Sequence, residues 1–128
     1  MTEENKEYKG SCLCGGVQYT AVGPLDDVVA CHCRQCQKTS GFHVAMTRLP
    51  LKNLRLDKYE TLNWYRSSNE AERGFCTRCG GNVFWKPTGK DSVSITAGTL
   101  DQPTGLKLRD NIYTEFAGDY YEIPKVTR

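Results

Sequence analysis

Apolar and polar residues alternate with a period of two along most of this chain, the signature of half-buried strands. Val17, Tyr19 and Ala21 alternate with Gln18 and Thr20. Ser92-Val93-Ser94-Ile95-Thr96-Ala97 is the clearest case, with Val93, Ile95 and Ala97 on one side of an extended chain. Strand-like runs also occupy Phe42–Thr47, Leu54–Leu56, Leu62–Arg66, Arg73–Cys76, Val83–Lys86, Ser92–Leu100 and Asn111–Ala117. Leu49-Pro50-Leu51 reads as a break and Gly23-Pro24 as a turn. Helical periodicity is nearly absent. One short helix is predicted over residues 33–39, stopped at Ser40-Gly41, where Gly41 suits a left-handed cap. No linker, repeat or low-complexity segment interrupts the pattern. The expected organisation is one mostly-β domain over residues 8–122, with a charged, patternless, disordered N-terminus at 1–7 and a short tail at 123–128.

Seven cysteines change this picture, because they fall into three blocks. Cys12-Leu13-Cys14 and Cys76-Thr77-Arg78-Cys79 are pairs; Cys31-His32-Cys33-Arg34-Gln35-Cys36 is a triplet. Two residues apart on an extended chain, Cys12 and Cys14 at the head of the first strand would point to one side. Cys76 and Cys79 have the spacing of a zinc knuckle, with Gly80-Gly81 to turn the chain around the second sulfur. A strand ending at Cys31 and Cys33 and running into the short helix would bring Cys36 to the same place. Two pairs make the four thiolates of a closed structural zinc site, and the triplet leaves one position of a tetrahedral ion free. The other partition joins the triplet to one knuckle cysteine and strands the remaining thiols. Economy favours the first.

Composition sharpens the reading of the thiols. A chain of 128 residues can bury about two-thirds of its unfolded surface, yet only 38% of its residues are hydrophobic. Metal crosslinks would therefore form part of its folding free energy. No apolar run approaches the roughly 20 residues that span a bilayer, and the N-terminus is polar and acidic. The expected compartment is the cytoplasm, whose reducing conditions make clustered thiols metal ligands rather than disulfides. Charge is uneven: residues 1–30 carry −3, residues 31–90 carry +7 and residues 91–128 carry −2. This middle excess offsets thiolate charge, and its scatter argues against a nucleic-acid face.

Other candidates weigh less. His32 lies between two thiols, and on a strand its imidazole would point away from them into packing or solvent. His43 reads as an ordinary strand residue. Arg34 and Lys38 read as solvated charges beside the thiolates, and Trp64 and Trp85 as core or groove walls. No serine–histidine–acid set, phosphate loop or paired-carboxylate motif is visible, so chemistry falls to the metal and its ligands.

Gly10-Ser11-Cys12-Leu13-Cys14-Gly15-Gly16-Val17, the triplet with Ser40-Gly41, Phe75-Cys76-Thr77-Arg78-Cys79-Gly80 and Gly98-Thr99-Leu100-Asp101 together resemble the glutathione-dependent formaldehyde-activating enzyme family, which includes centromere protein V. The resemblance implies a β-tent fold with two Zn2+ ions per chain. Cys12, Cys14, Cys76 and Cys79 would hold the structural ion; Cys31, Cys33 and Cys36 would hold the catalytic one, its fourth position open. It also implies a carbon–sulfur lyase that adds glutathione to formaldehyde, giving S-hydroxymethylglutathione, or that handles a related small electrophile. The alternative is a non-catalytic zinc module that binds a protein or nucleic acid. One departure stands out: where the family usually has a histidine, an apolar and an aromatic residue and then a tryptophan, this chain has Asn111-Ile112-Tyr113 and Tyr120-Tyr121. That difference bears on the substrate and leaves the fold and the zinc sites alone.

Overall fold

The computed structural model describes residues 6–127; the first five residues of the predicted N-terminal segment lie outside them. Among the described residues there are ten strands and one α-helix, as the two-residue alternation predicts for a mostly-β chain. The strands are β1 (Glu7–Ser11), β2 (Gln18–Val22), β3 (Val28–Cys31), β4 (Val44–Pro50), β5 (Leu54–Lys58), β6 (Leu62–Arg66), β7 (Ala71–Cys76), β8 (Asn82–Pro87), β9 (Ser92–Thr96) and β10 (Leu108–Ile112). The helix, α1, spans Arg34–Ser40.

Two sheets result. A three-stranded sheet has the order β1-β2-β5, and a seven-stranded sheet has the order β10-β3-β4-β9-β8-β7-β6. All pairings are antiparallel except β10 with β3, which is parallel. Neither sheet closes into a barrel. Their facing surfaces share one core: Tyr8, Tyr19 and Ala21 from the small sheet meet Val83, Phe84, Val93 and Ile95 from the large one. The Tyr19 and Phe84 rings meet edge-on with centroids 5.4 Å apart, joining the layers. Each such ring removes apolar surface from water at about 25 cal/mol per Å², which is how a chain of modest hydrophobicity still owns a core.

Several boundaries differ from the sequence reading, each for a local reason. Cys12 and Cys14 do not sit on an extended strand; they lie in the turn between β1 and β2, where Gly15 N–H donates to Cys12 O and Cys12 N–H to Val17 O. β4 begins at Val44 rather than Phe42 and runs through Pro50, so the break falls at Leu51, where a 3-10 turn covers Leu51–Asn53. Pro50 is tolerated as the last residue of its strand. β9 stops at Thr96, since Ala97–Thr99 curl into a 3-10 turn. β10 lies earlier than the predicted run, at Leu108–Ile112, and Tyr113, with φ 57°, turns the chain into a 3-10 segment at Thr114–Phe116. The charged N-terminal run gives way to strand at Glu7, one residue before the predicted domain edge. The helix ends as predicted: Gly41 has φ 83° and its N–H donates to Gln37 O at 2.6 Å.

Candidate metal centres and the cavity between them

The turn between β1 and β2 comes from the small sheet, and the end of β7 comes from the large one. Cys12 and Cys14 on the first meet Cys76 and Cys79 on the second, with all four sulfurs within 4.8 Å of one another. Cys12 Sγ to Cys14 Sγ is 3.7 Å and Cys14 Sγ to Cys76 Sγ is 3.6 Å. Four thiolates on a tetrahedral zinc with Zn–S near 2.3 Å stand about 3.8 Å apart, so the donor set fits that ion. Backbone N–H groups turn onto the sulfurs, as negative charge requires: Val17 onto Cys12 (3.3 Å), Gly16 onto Cys14 (3.4 Å), and Arg78 and Cys79 onto Cys76 (3.3 and 3.4 Å). The Thr61 hydroxyl, 3.3 Å from Cys76 Sγ, is the first cause holding that thiol down to about 5.

The triplet is built differently. Cys31 is the last residue of β3, Cys33 caps the N-terminus of α1 and accepts from Cys36 N–H at 3.4 Å, and Cys36 lies in the first turn. Their three sulfurs also lie within 4.8 Å of one another. The proton is shared unequally among them. Pairing with Cys36 holds Cys31 down to about 6, while the same pairing and burial push Cys36 up. Each group of cysteines could hold a metal ion, the first with four donors and the second with three.

The second lines a cavity, whereas the first reaches solvent through the exposed Cys14. Cys31, Cys33 and Cys36 line a cavity of about 660 Å³, whose walls include none of the other four cysteines. Sheet register explains the cavity. Side chains alternate across a strand and cross-strand partners share a side. Cys31 pairs with Val44 and Val29 with Met46, and all four line the cavity. A second row crosses four strands, since Arg48 pairs with Ser94, Ser94 with Trp85 and Trp85 with Arg73. That whole row lines the cavity too. In the adjacent row Ile95 and Phe84 face the opposite way into the core, while Thr47 also lines the cavity. One side of the large sheet is therefore core, and the other is cavity wall.

His32 is fully buried and turned away from the cavity, which it does not line. Asn111 Nδ2 donates to Pro124 O, leaving Oδ1, 2.9 Å from His32 Nε2, to accept from it. Nδ1 then accepts from the Tyr121 hydroxyl at 2.6 Å. Gln37 adds a bond from Nε2 to His32 O at 2.9 Å and another to Phe116 O. Asn111 and Tyr121, two residues of the stretch that departs from the family pattern, thus help Gln37 tie the C-terminal segment to the triplet. His43 packs among Phe42, His32 and Tyr121, and burial followed by the charge of His32 lowers its pKa. Arg34 and Lys38 are exposed, Trp64 packs on the core and Trp85 lines the cavity. The sequence reading passed over Arg73, Gln35 and Gln37. Gln35 and Gln37 sit beside thiols already singled out, whereas Arg73 is one of many basic residues in the middle of the chain and carries no motif.

Similarity to known proteins agrees with this geometry. A crystal structure of a Rhodobacter sphaeroides protein superposes with a TM-score of 0.63, covering 73% of this chain and 88% of that one at 24% identity, which speaks for the fold. A Schizosaccharomyces pombe protein named as an uncharacterized lyase is 30% identical over 95 residues, 71% of this chain. The aligned part spans 66% of that relative's length. The sequence model described as glutathione-dependent formaldehyde-activating enzyme matches residues 7–116, from β1 to the turn after β10. The chain belongs to the glutathione-dependent formaldehyde-activating enzyme family.

Proposed function

We propose that this protein is a zinc-dependent carbon–sulfur lyase that makes and breaks the bond between the sulfur of glutathione and formaldehyde or a related small carbonyl compound. The observation that carries this reading is the unequal placing of the two cysteine groups: the one with three donors lines the 660 Å³ cavity and the one with four does not. Cys12, Cys14, Cys76 and Cys79 hold a structural zinc, and Cys31, Cys33 and Cys36 hold a second with one position left for a substrate atom. That second zinc, when bound, provides Lewis acidity and keeps a thiol ionised at neutral pH.

The chain's own residues do the rest. A cavity of this volume suits a tripeptide and far exceeds formaldehyde. Val29, Val44, Met46 and Trp85 form the apolar part of its wall. Arg48 and Arg109, exposed on the same wall, face the carboxylates of an anionic thiol carrier. Held together, sulfur and carbonyl carbon react without the entropy cost of encounter. In the forward direction the carbon–sulfur bond forms, the carbonyl π pair moves to oxygen, and oxygen takes a proton from water.

Exchange NMR on an equilibrated mixture of glutathione and formaldehyde tests the proposal, because the adduct also forms spontaneously and the catalysed rate is read above that background. Acceleration by the zinc-loaded protein that disappears in Cys36→Ser supports the lyase. An unaccelerated exchange in protein holding two zinc ions rejects formaldehyde and glutathione as its substrates.

A further inference from the structure

Arg73 is 7% exposed, on β7, and it lines the cavity beside the triplet. A guanidinium stays protonated at any ordinary pH, and a buried charge is costly unless an opposite charge meets it. Among the described residues no carboxylate forms an ion pair with it, although Glu70 lines the same cavity. The ion pair found is Arg55 with Asp57, elsewhere on the small sheet. Arg73 Nη2 reaches Gln35 Oε1 at 3.3 Å and Cys36 Sγ at 3.9 Å, and Nε is buried without any partner. The negative charge that answers this cation therefore belongs to the site. Three thiolates on a divalent ion carry −1, which Arg73 brings to zero.

The geometry points to Arg73 as the residue that admits the substrate's sulfur in its anionic form. This rests on the function proposed above, and deepens it by naming the group that makes a thiolate-lined pocket accept another thiolate. Without Arg73 a fourth sulfur anion would meet the uncompensated −1 of ion and thiolates and be repelled; with it that local charge is offset, while Asp26, Asp27, Glu70 and Asp110 line the cavity together with Arg48 and Arg109. When the thiol binds, its S–H bond breaks, sulfur keeps the pair and the proton leaves to water. The trigonal, permanently charged guanidinium cannot take that proton, so Arg73 acts as a fixed positive charge. Its place is set by register, through its pairing with Trp85 on β8 and Tyr65 on β6.

The test is a binding comparison on zinc-loaded protein, by titration calorimetry, between glutathione and S-methylglutathione, which has the same carrier but no ionisable thiol. Zinc content is measured alongside. Arg73→Met is expected to weaken glutathione about a hundredfold, the effect of one unit charge at about 6 Å and an effective dielectric of about 20, and to leave S-methylglutathione unchanged. Equal losses for both ligands, or none for glutathione, overturn the inference. If Arg73→Met does not retain its zinc, Arg73→Lys decides. It keeps the charge and loses the fork, and a preference for glutathione within about threefold of native supports the assignment, whereas its collapse overturns it. Because binding is read and not turnover, a protein that binds the thiolate through Arg73 but fails the exchange assay would refute the reaction and leave this inference standing.

Discussion

Replacing Cys76 and Cys36 separately with serine separates the two cysteine groups by their effect on the fold. Cys76 is fully buried and joins a group whose members come from both sheets, two from the β1–β2 turn and two from the end of β7. An ion there ties the layers together directly above their common core. Structural zinc in small domains is worth about 10–16 kcal/mol, against a total stability of about 5–15 kcal/mol for a typical domain. Losing the metal term removes about as much as the whole stability of a typical domain, so Cys76→Ser is expected to be unfolded at 25 °C. Cys36, though 4% exposed, joins Cys31 and Cys33 at the end of β3 and the start of α1, where β3 stays hydrogen-bonded to β10 and β4 without metal. Cys36→Ser is expected to cost about 1–2 kcal/mol, a fall in Tm of roughly 3–8 °C, and to retain one zinc per chain. Circular dichroism melts and elemental analysis read both. Two serine variants with the same melting temperature and the same zinc content would refute the division between a fold-holding group and a cavity-facing one.

Two further outcomes follow from packing and ionisation. Gly10→Ala would set a Cβ 2.2 Å from the hydroxyl of Tyr19, which is 1% exposed, and 2.6 Å from the Thr99 carbonyl. It should cost about 3 kcal/mol through overpacking and loss of the Tyr19–Thr99 bond, read as a lower urea midpoint with unchanged slope. His43 has its pKa lowered by burial and then by His32, and its Nδ1 is buried without a partner. Its unfolded form therefore takes a proton first, and stability present above the ordinary histidine range is lost as pH falls below about 6.5. Native protein should lose more stability than His43→Phe between pH 7.5 and 5.5 in parallel denaturant titrations; equal losses would count against it.

Local signals in the sequence were enough for the strands and for the cysteine groups, because both depend on short spacing. A period of two survives any tertiary arrangement, and three thiols in six residues have few places to go. Boundaries slipped where the backbone curls into 3-10 turns, at Ala97–Thr99 and Thr114–Phe116, because each follows closely on a strand with no proline to mark the change. Cys12 and Cys14 illustrate the same limit: a spacing of two fits an extended chain and also fits the turn actually formed, and the sulfurs converge in either case. Arg73 was illegible for a different reason. Its place beside the triplet depends on a row of partners running Arg48, Ser94, Trp85, Arg73 across four strands, and no local pattern encodes register between segments so far apart.

The same distinction explains how this chain keeps the family's metal groups while changing its C-terminal residues. His32 points away from the cavity and grips Asn111 and Tyr121, 79 and 89 residues further on. Next to Asn111 on β10, Ile112 lines the cavity, and so does Tyr113, held at positive φ. The strand that His32 anchors carries Arg109, Asp110 and Ile112 of the cavity wall, and Tyr113 follows directly after it. A change of residue at 111 or 121 moves that wall through a hydrogen bond to a buried imidazole, without touching a thiol. On the function proposed above, metal binding and the charge at Arg73 would belong to β3, α1 and β7, and the shape offered to the substrate would belong in part to β10.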